Sequence, residues 1–422
     1  MEKFRWNVYA DQPHNIASRK ERLKHHFKYG ISYLSLAALN LRSTYPVLSL
    51  YRKYRERMYR EPSNIESPFA VSVSPVGERN EEVVEKLKEI GVNKTLVRIP
   101  SWERKKLGFY EKFIELLIKN KVEVTLAILQ NREDVLDPAR WQSFIKESFS
   151  LFGQKDSFFE IGHAWNRTKW GVWNYKEYLK LAIPALSLAQ DYGVKLVGPA
   201  VIDFEFHLYP PVLKSIPFDK VSSLLYVDRQ GAPENAQFGW TTAKKVALLK
   251  AIIDTCSHNG RDCWITEVNW PLKGTGNYSP ASGKPNVSED RQADYLVRYF
   301  VICLASGFVE RIYWWQLVAP GYGLIDSRQK EWRRRSSFRA LKTLIEYLEG
   351  SSFTEKIDDS QKEIYLFSKK DENFALCWTK GSPCDYVFSR NVSRVLDRGG
   401  KEIPFIFNKV EVTQSPKYVF FE

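Results

Sequence analysis

Two hydrophobic periods take turns along most of this chain. From Pro68 onward, short β-branched runs alternate with stretches whose apolar residues recur three and four positions apart, about every 30–40 residues. The first strand is expected over 70–74. A helix over 80–91 then places Val83, Val84, Leu87 and Ile90 on one face. The same reading pairs strand 95–99 with helix 109–120, strand 122–129 with helix 138–152, and strand 158–162 with helix 175–192. It continues with strand 195–200 and a short helix near 210–216, then strand 221–226 and helix 241–258. Strand 264–268 with helix 289–306 and strand 311–316 with helix 336–348 complete the series. Eight such units predict an α/β fold, a (β/α)8 barrel, more naturally than an open doubly wound sheet. No glycine-rich phosphate loop follows the first strand, which weighs further against a nucleotide fold.

After Gly350 the helical period disappears. Short alternating runs at 363–368, 374–379, 385–389, 403–407 and 418–421, divided by turn signals, predict an antiparallel β-sandwich. The expected organisation is a basic, helical N-terminal extension over 1–66, a barrel over 67–350 and an accessory sandwich over 351–422.

Charge gives the extension a character of its own. The chain carries a formal +13, and residues 1–66 hold thirteen Lys/Arg against six acids, or +7 of that total. No nucleic-acid motif accompanies the charge, so a nucleic acid is an unlikely partner. The most apolar early stretch, 31–41, is about half the ~20 residues of a membrane span and is interrupted by Arg42 and Pro46. Its basic flanks fit either a helix packed on the main domain or one lying on an anionic bilayer. The N-terminus lacks the apolar core of a secretory signal. Five cysteines without CxxC spacing point to a reducing cytoplasm, with neither a disulfide framework nor a metal site, and no cofactor is called for. The expected location is therefore cytoplasmic, at the inner face of a membrane, and the five Asn-x-Ser/Thr triplets are read as chance matches.

In a barrel the chemistry belongs at the C-terminal strand ends. Strand two ends in Arg98. Strand four gives Glu160, His163, Trp165 and Asn166, strand five leads to Asp203 and Glu205, and strand six supplies Tyr226 and Asp228. Strand seven delivers Glu267 and Asn269, and strand eight Trp314, Trp315 and Gln316. With thirteen tryptophans and 14% aromatic residues, a lone carboxylate among rings suits carbohydrate, although rings also fill cores.

The ordered set Arg98, His163 with Trp165-Asn166, Tyr226, Glu267 and Trp315, with the turn Gly323-Leu324-Ile325-Asp326 and the helix around Ala340–Leu344, resembles the clan A glycoside hydrolases, families 5 and 39 above all. The likeness covers about residues 68–350 and the β-sandwich beyond. It implies that Glu267 is the nucleophile of a retaining mechanism, kept ionised by Arg98 and oriented by Tyr226, with Trp315 as a floor for a sugar. It further implies substrate contacts from Trp165, Asn166 and Asn269.

Clan members show Asn-Glu at the end of strand four, the glutamate serving as acid/base. This chain has His163-Ala164. Three readings follow. Another group gives the proton, either His163 or one of Asp203, Glu205 and Asp228, Glu160 being too deep in the barrel. Alternatively, the leaving group needs no acid, as in a phosphorylated or acidic sugar. Or the barrel binds glycan without cutting it. The leading expectation is a glycosidase or transglycosidase acting on an anionic or lipid-linked glycan, such as a lipopolysaccharide precursor. Its competitors are a non-catalytic carbohydrate-binding barrel and an inert scaffold held to membrane by its basic arm. The runs 103–106 and 332–335 are read as solvated faces that favour an anionic glycan if they border the mouth.

Overall fold

A computed structural model describes residues 5–13, 18–153, 157–280, 284–370 and 372–422. Eight parallel strands close into a barrel: β1 (Phe69–Val73), β2 (Lys94–Pro100), β3 (Glu123–Leu129), β4 (Phe158–Ile161), β5 (Lys195–Ile202), β6 (Lys220–Leu224), β7 (Cys263–Val268) and β8 (Arg311–Trp314). Each pairs with the next, and β8 pairs with β1 to close the ring. All five residues of β1 and all six of β7 are buried, because a closed parallel sheet wrapped in helices is covered on both faces.

Alternation along each strand sends one set of side chains inward. Ala70, Leu96, Ala127, Val197, Leu224, Trp264 and Tyr313 make the interior core. Polar groups close its lower end: Arg311 pairs with Glu123 and lies 4.1 Å from the Trp264 ring centre, and the Tyr313 hydroxyl is 2.8 Å from Thr125 Oγ1. That end is plugged, so access to the interior is from the C-terminal strand ends.

The extension's main helix continues where the sequence suggested an interruption. Helix α1 (Arg19–Lys28) precedes a long helix α2 (Gly30–Arg57), which runs through both Arg42 and Pro46. Tertiary contact sustains it: Ser32, Leu36, Ser43 and Val47 are buried against the barrel, and Asn40 donates to the His207 carbonyl at 2.8 Å. Lys214 donates to Ser43 Oγ at 2.7 Å, and Tyr54 hydrogen-bonds Asp254 on helix Thr242–Cys256. Among the described residues no helix is long and apolar enough to cross a membrane. Ahead of α1, Trp6–Asn7 and Gln12–Pro13 form a small hairpin that reaches the barrel mouth.

At the other end lies an antiparallel sheet. Strands β9 (Ser351–Ile357), β10 (Lys362–Lys369), β11 (Glu372–Thr379), β13 (Val392–Asp397) and β15 (Lys417–Phe421) form it together with Ser63–Ile65, which pairs with β9. A ribbon of β12 (Cys384–Val387) and β14 (Lys409–Val412) completes the sandwich. The strand expected over 403–407 is absent. Pro404 removes a ladder donor, Phe407 takes a left-handed φ of 49°, and the strands instead form on either side of this run.

Candidate active site

Simple alternation would place Glu267 on the wrong side of its strand. Trp264 belongs to the interior layer, so Thr266 should share its face and Glu267 should point at the surrounding helices. A register shift between Ile265 and Val268 against β8 interrupts the alternation. Glu267 consequently lines a cavity of about 1120 Å³ at the barrel mouth, with its side chain only 9% exposed.

Both of its oxygens are held. Arg98 of β2 pairs with Oε2, and the Tyr226 hydroxyl donates to Oε1 at 2.5 Å. Burial opposes the charge on Arg98, but Glu267 and Asp11 together hold its pKa above the usual value. Burial and the charge of Glu267 push the Tyr226 phenol well up, so it remains a donor. The carboxylate is thus fixed and aimed into the cavity.

His163 sits beside this pair without sharing its proton chemistry. Gly162, at φ 79°, turns the chain at the end of β4, where a Cβ would meet the Tyr178 ring at 2.8 Å. The His163 backbone is clamped by Gln130, which accepts from its N–H at 2.9 Å and donates to its carbonyl at 3.1 Å. The ring Nε2 lies 2.9 Å from Arg98 Nη2 and 3.4 Å from Glu267 Oε2. Burial and then the cations Arg98 and Lys169 push its pKa well down. The imidazole is therefore neutral, with Nε2 accepting from Arg98 and Nδ1 without a hydrogen-bond partner. Of the sequence candidates it is the one least suited to give a proton.

Directly below lies a second acid. Glu160 points into the barrel interior, 1% exposed, and burial lifts its pKa to about 7 despite the nearby Thr266 and Ser222 hydroxyls. It is not part of the cavity wall, and Arg98 pairs with Glu267 and Asp11 rather than with Glu160.

The remaining expected residues divide into two groups. Asp203 and Glu205 line the same cavity as Ala164, and both pair with Arg167. Asp228 also lines it, but its Oδ1 accepts from the Gln230 and Gly231 amides, the pattern of a local turn. Trp165 is core: its ring stacks on Tyr178 at 4.6 Å and its Nε1 donates to the Pro199 carbonyl at 2.7 Å. Asn166 is spent on the backbone, bonding both the N–H and the carbonyl of Ile202 at 2.9 Å. Asn269 lines the cavity, but its side-chain amide is spent on the turn after β8, donating to the Trp315 and Tyr322 carbonyls. Trp315 does border the cavity, yet it is 4% exposed and Arg98 covers its ring at 3.4 Å from the centre. None of these four presents the open sugar contact expected of it. The basic runs also lie elsewhere: Arg333 and Arg334 pair with Glu289 and Glu89, and Arg335 is buried on the carbonyls of Ala319, Pro320 and Gly323.

This geometry can be set beside known proteins. Neither a protein-family model nor a curated protein sequence matches the chain. Solved structures do. A family 39 glycoside hydrolase from the gut symbiont Bacteroides cellulosilyticus WH2 is similar at TM-score 0.64 and 14% identity, covering 85% of this chain and 81% of its own. A GH30 endoxylanase from Clostridium papyrosolvens C71 aligns at TM-score 0.58 and 11% identity, over 86% and 98%. The GH51 arabinofuranosidase of Xanthomonas axonopodis pv. citri aligns at 0.54 and 14%, over 87% and 98%. The chain shares their fold.

Two groups that the sequence reading did not single out complete the site. The hairpin residues Ala10, Asp11 and Gln12 line the cavity, and Asp11 Oδ2 lies 2.9 Å from Arg98 Nη1. Asp11 had no sequence signal beyond being one acid in a basic segment. Lys169, on the loop after β4, also lines the cavity, and burial lowers its pKa to about 8 against the opposing pull of Glu267. The sequence Arg167-Thr168-Lys169 immediately after the strand-four motif offered a signal here, since loops after barrel strands carry function.

Proposed function

We propose that this protein is a retaining glycoside hydrolase or transglycosidase acting on an anionic or lipid-linked glycan, with Glu267 as its nucleophile. One observation carries the reading: a buried carboxylate gripped through both oxygens by Arg98 and Tyr226, facing a sugar-sized cavity in a glycoside hydrolase fold. Attack by Glu267 forms a bond to the anomeric carbon while the bond to the leaving oxygen breaks, and that oxygen takes up a proton. Water or an acceptor hydroxyl then gives up a proton and displaces Glu267, restoring the carboxylate. Arg98 and Tyr226 hold the attacking group in place in both steps.

The proton donor in this reading is Asp203 or Glu205. Ala164 stands at the position where the family resemblance expects a glutamate, and these two carboxylates line the same cavity from just beyond the end of the next strand. Single Asp203→Ala and Glu205→Ala variants distinguish them: loss of the donor spares glycosides with activated aryl leaving groups and slows those with alkyl leaving groups by ~10²–10⁴-fold. Treatment with a panel of activated 2-deoxy-2-fluoro glycosides should label Glu267 in the intact chain or in one lacking residues 1–13. A panel that leaves Glu267 unmodified in both removes the nucleophile assignment and favours a barrel that binds glycan without cutting it.

The outer face of α1 and α2 supports a lipid-linked substrate. Phe27, Ile31, Leu34, Leu41 and Tyr45 form a strongly exposed apolar stripe. Between Glu21 and Glu56 the sequence holds seven Lys/Arg and no acid. An apolar stripe with basic flanks matches an anionic bilayer surface, whereas two copies of so basic a helix repel each other. Sedimentation with vesicles containing phosphatidylglycerol should pull down the chain. The double variant Leu34→Glu/Leu41→Glu should stay in solution, and equal binding by both proteins rejects the bilayer as the partner.

A further inference from the structure

The N-terminal hairpin is seated in the cavity by contacts of several kinds. Trp6 packs between Trp102 and Trp170, with ring centres 4.9 Å and 5.9 Å away. Tyr9 meets Tyr278 edge-on at 5.0 Å. Between these aromatic anchors the turn presents polar groups to the site. Asp11 gives Arg98 Nη1 two acceptors, its carboxylate at 2.9 Å and its own carbonyl at 3.0 Å. The adjacent Gln12 accepts from Lys169 Nζ at 2.5 Å and donates to the Pro280 carbonyl at 2.9 Å.

These contacts occupy the very groups a substrate would need. Arg98 already serves Glu267 through Nη2, so Nη1 is the part of that guanidinium available to another ligand, and Asp11 takes it. Lys169 is the second cation within reach of the same space, and burial has not removed its charge at neutral pH. The cavity as a whole is not a basic funnel: its lining has four cations, Arg98, Arg167, Lys169 and Arg229, against five carboxylates, Asp11 among them. Any preference for an anion must therefore be local: an anion already sits on Arg98, and Lys169 beside it is capped by the neutral Gln12 amide.

We propose that the Asp11 carboxylate marks the seat of an anionic group on the substrate, a sugar carboxylate or phosphate, and that the glycan gains the site by displacing the hairpin from Arg98 and Lys169. The proposal rests on the glycoside-processing reading of the cavity and adds its charge requirement and its self-occupied state. Burial raises the Asp11 pKa above the usual carboxylate value against the opposing pull of Arg98. Asp11 competes with substrate for Arg98, and it is tethered, so its effective concentration at the seat is high.

Calorimetric titration with glucuronate, galacturonate and glucose 6-phosphate, with glucose as the neutral control, tests this. A chain lacking residues 1–13 should bind at least one of the anions about tenfold or more tightly than the intact chain, with no matching gain for glucose. Asp11→Asn should move affinity in the same direction, and Lys169→Met in the shortened chain should reverse the gain. In the intact chain, binding should also change tryptophan fluorescence as Trp6 leaves Trp102 and Trp170, and Trp6→Phe should reduce that change. Equal affinities with and without the hairpin, an equal gain for glucose, or no anion binding by the shortened chain each overturn the proposal. Should the shortened chain lose its fold by circular dichroism, Asp11→Asn decides alone, and no gain there is a refutation. The titrations involve no turnover, so labelling of Glu267 without an anion preference leaves the glycosidase reading standing and removes only the anion seat.

Discussion

Glu160 offers a direct measurement of how dry the barrel is beneath the nucleophile. Its carboxyl is 1% exposed, its Oε1 has no hydrogen-bond partner, and burial, reinforced by the charge of Glu267, raises its pKa from 4.5 to about 7. A carboxyl with a raised pKa binds its proton more tightly in the folded chain than in the unfolded one. Its contribution to stability is therefore complete below pH ~4.5 and is lost as pH rises through about 7. A difference of about 2.5 in pKa, at ~1.4 kcal/mol each, corresponds to about 3 kcal/mol. In Glu160→Gln the amide is neutral throughout, so that loss should vanish. Urea unfolding of both proteins at intervals from pH ~4 to ~8 should show the parent losing about 3 kcal/mol relative to the variant, mostly between pH ~5 and ~7. Parallel stability profiles would refute the reasoning, because they would mean that Glu160 is solvated or paired.

Other expectations concern the site itself. Tyr226→Phe deletes a hydrogen bond to a charged carboxylate, ~1.5–3 kcal/mol, so fluoro-glycoside labelling of Glu267 should slow roughly 10- to 100-fold while the fold is retained. Arg98→Met leaves the buried Glu267 and the part-buried Asp11 without their cation, and chemical denaturation should register a loss of ~3–5 kcal/mol. Lys169 faces Glu267, Arg167, Arg98, Arg229 and the Gln12 amide, and titrates at about 8. Affinity of the shortened chain for a sugar anion should accordingly fall as pH passes that value, and Lys169→Met should flatten the dependence.

Much of the architecture was legible because it rests on local pattern. The eight barrel strands appear where β-branched runs recur, within a residue or two at most ends, and the loss of helical period after Gly350 marks the antiparallel sheet. The failures share a cause. Helix α2 passes through Pro46 because packing on helix Thr242–Cys256 compensates for the missing N–H, and the run 403–407 is a loop because its apolar residues find no ladder. Trp165, Asn166 and Asn269 looked like site residues because they lie near strand ends, but their side chains turn to carbonyls and rings of neighbouring elements.

The sequence by itself determined the barrel and the strand ends at which polar groups converge, since an eight-fold repeat fixes which residues share a rim; that Arg98 and Tyr226 attend Glu267 was implied by the resemblance to clan A glycoside hydrolases. Only the tertiary structure decided the direction and company of each group. A bulge that takes in the nucleophile reverses the face alternation predicts. A hairpin nearly ninety residues from Arg98 in sequence supplies the carboxylate on its other side. Both depend on contacts between segments far apart in the chain, and no periodicity within a single segment records them.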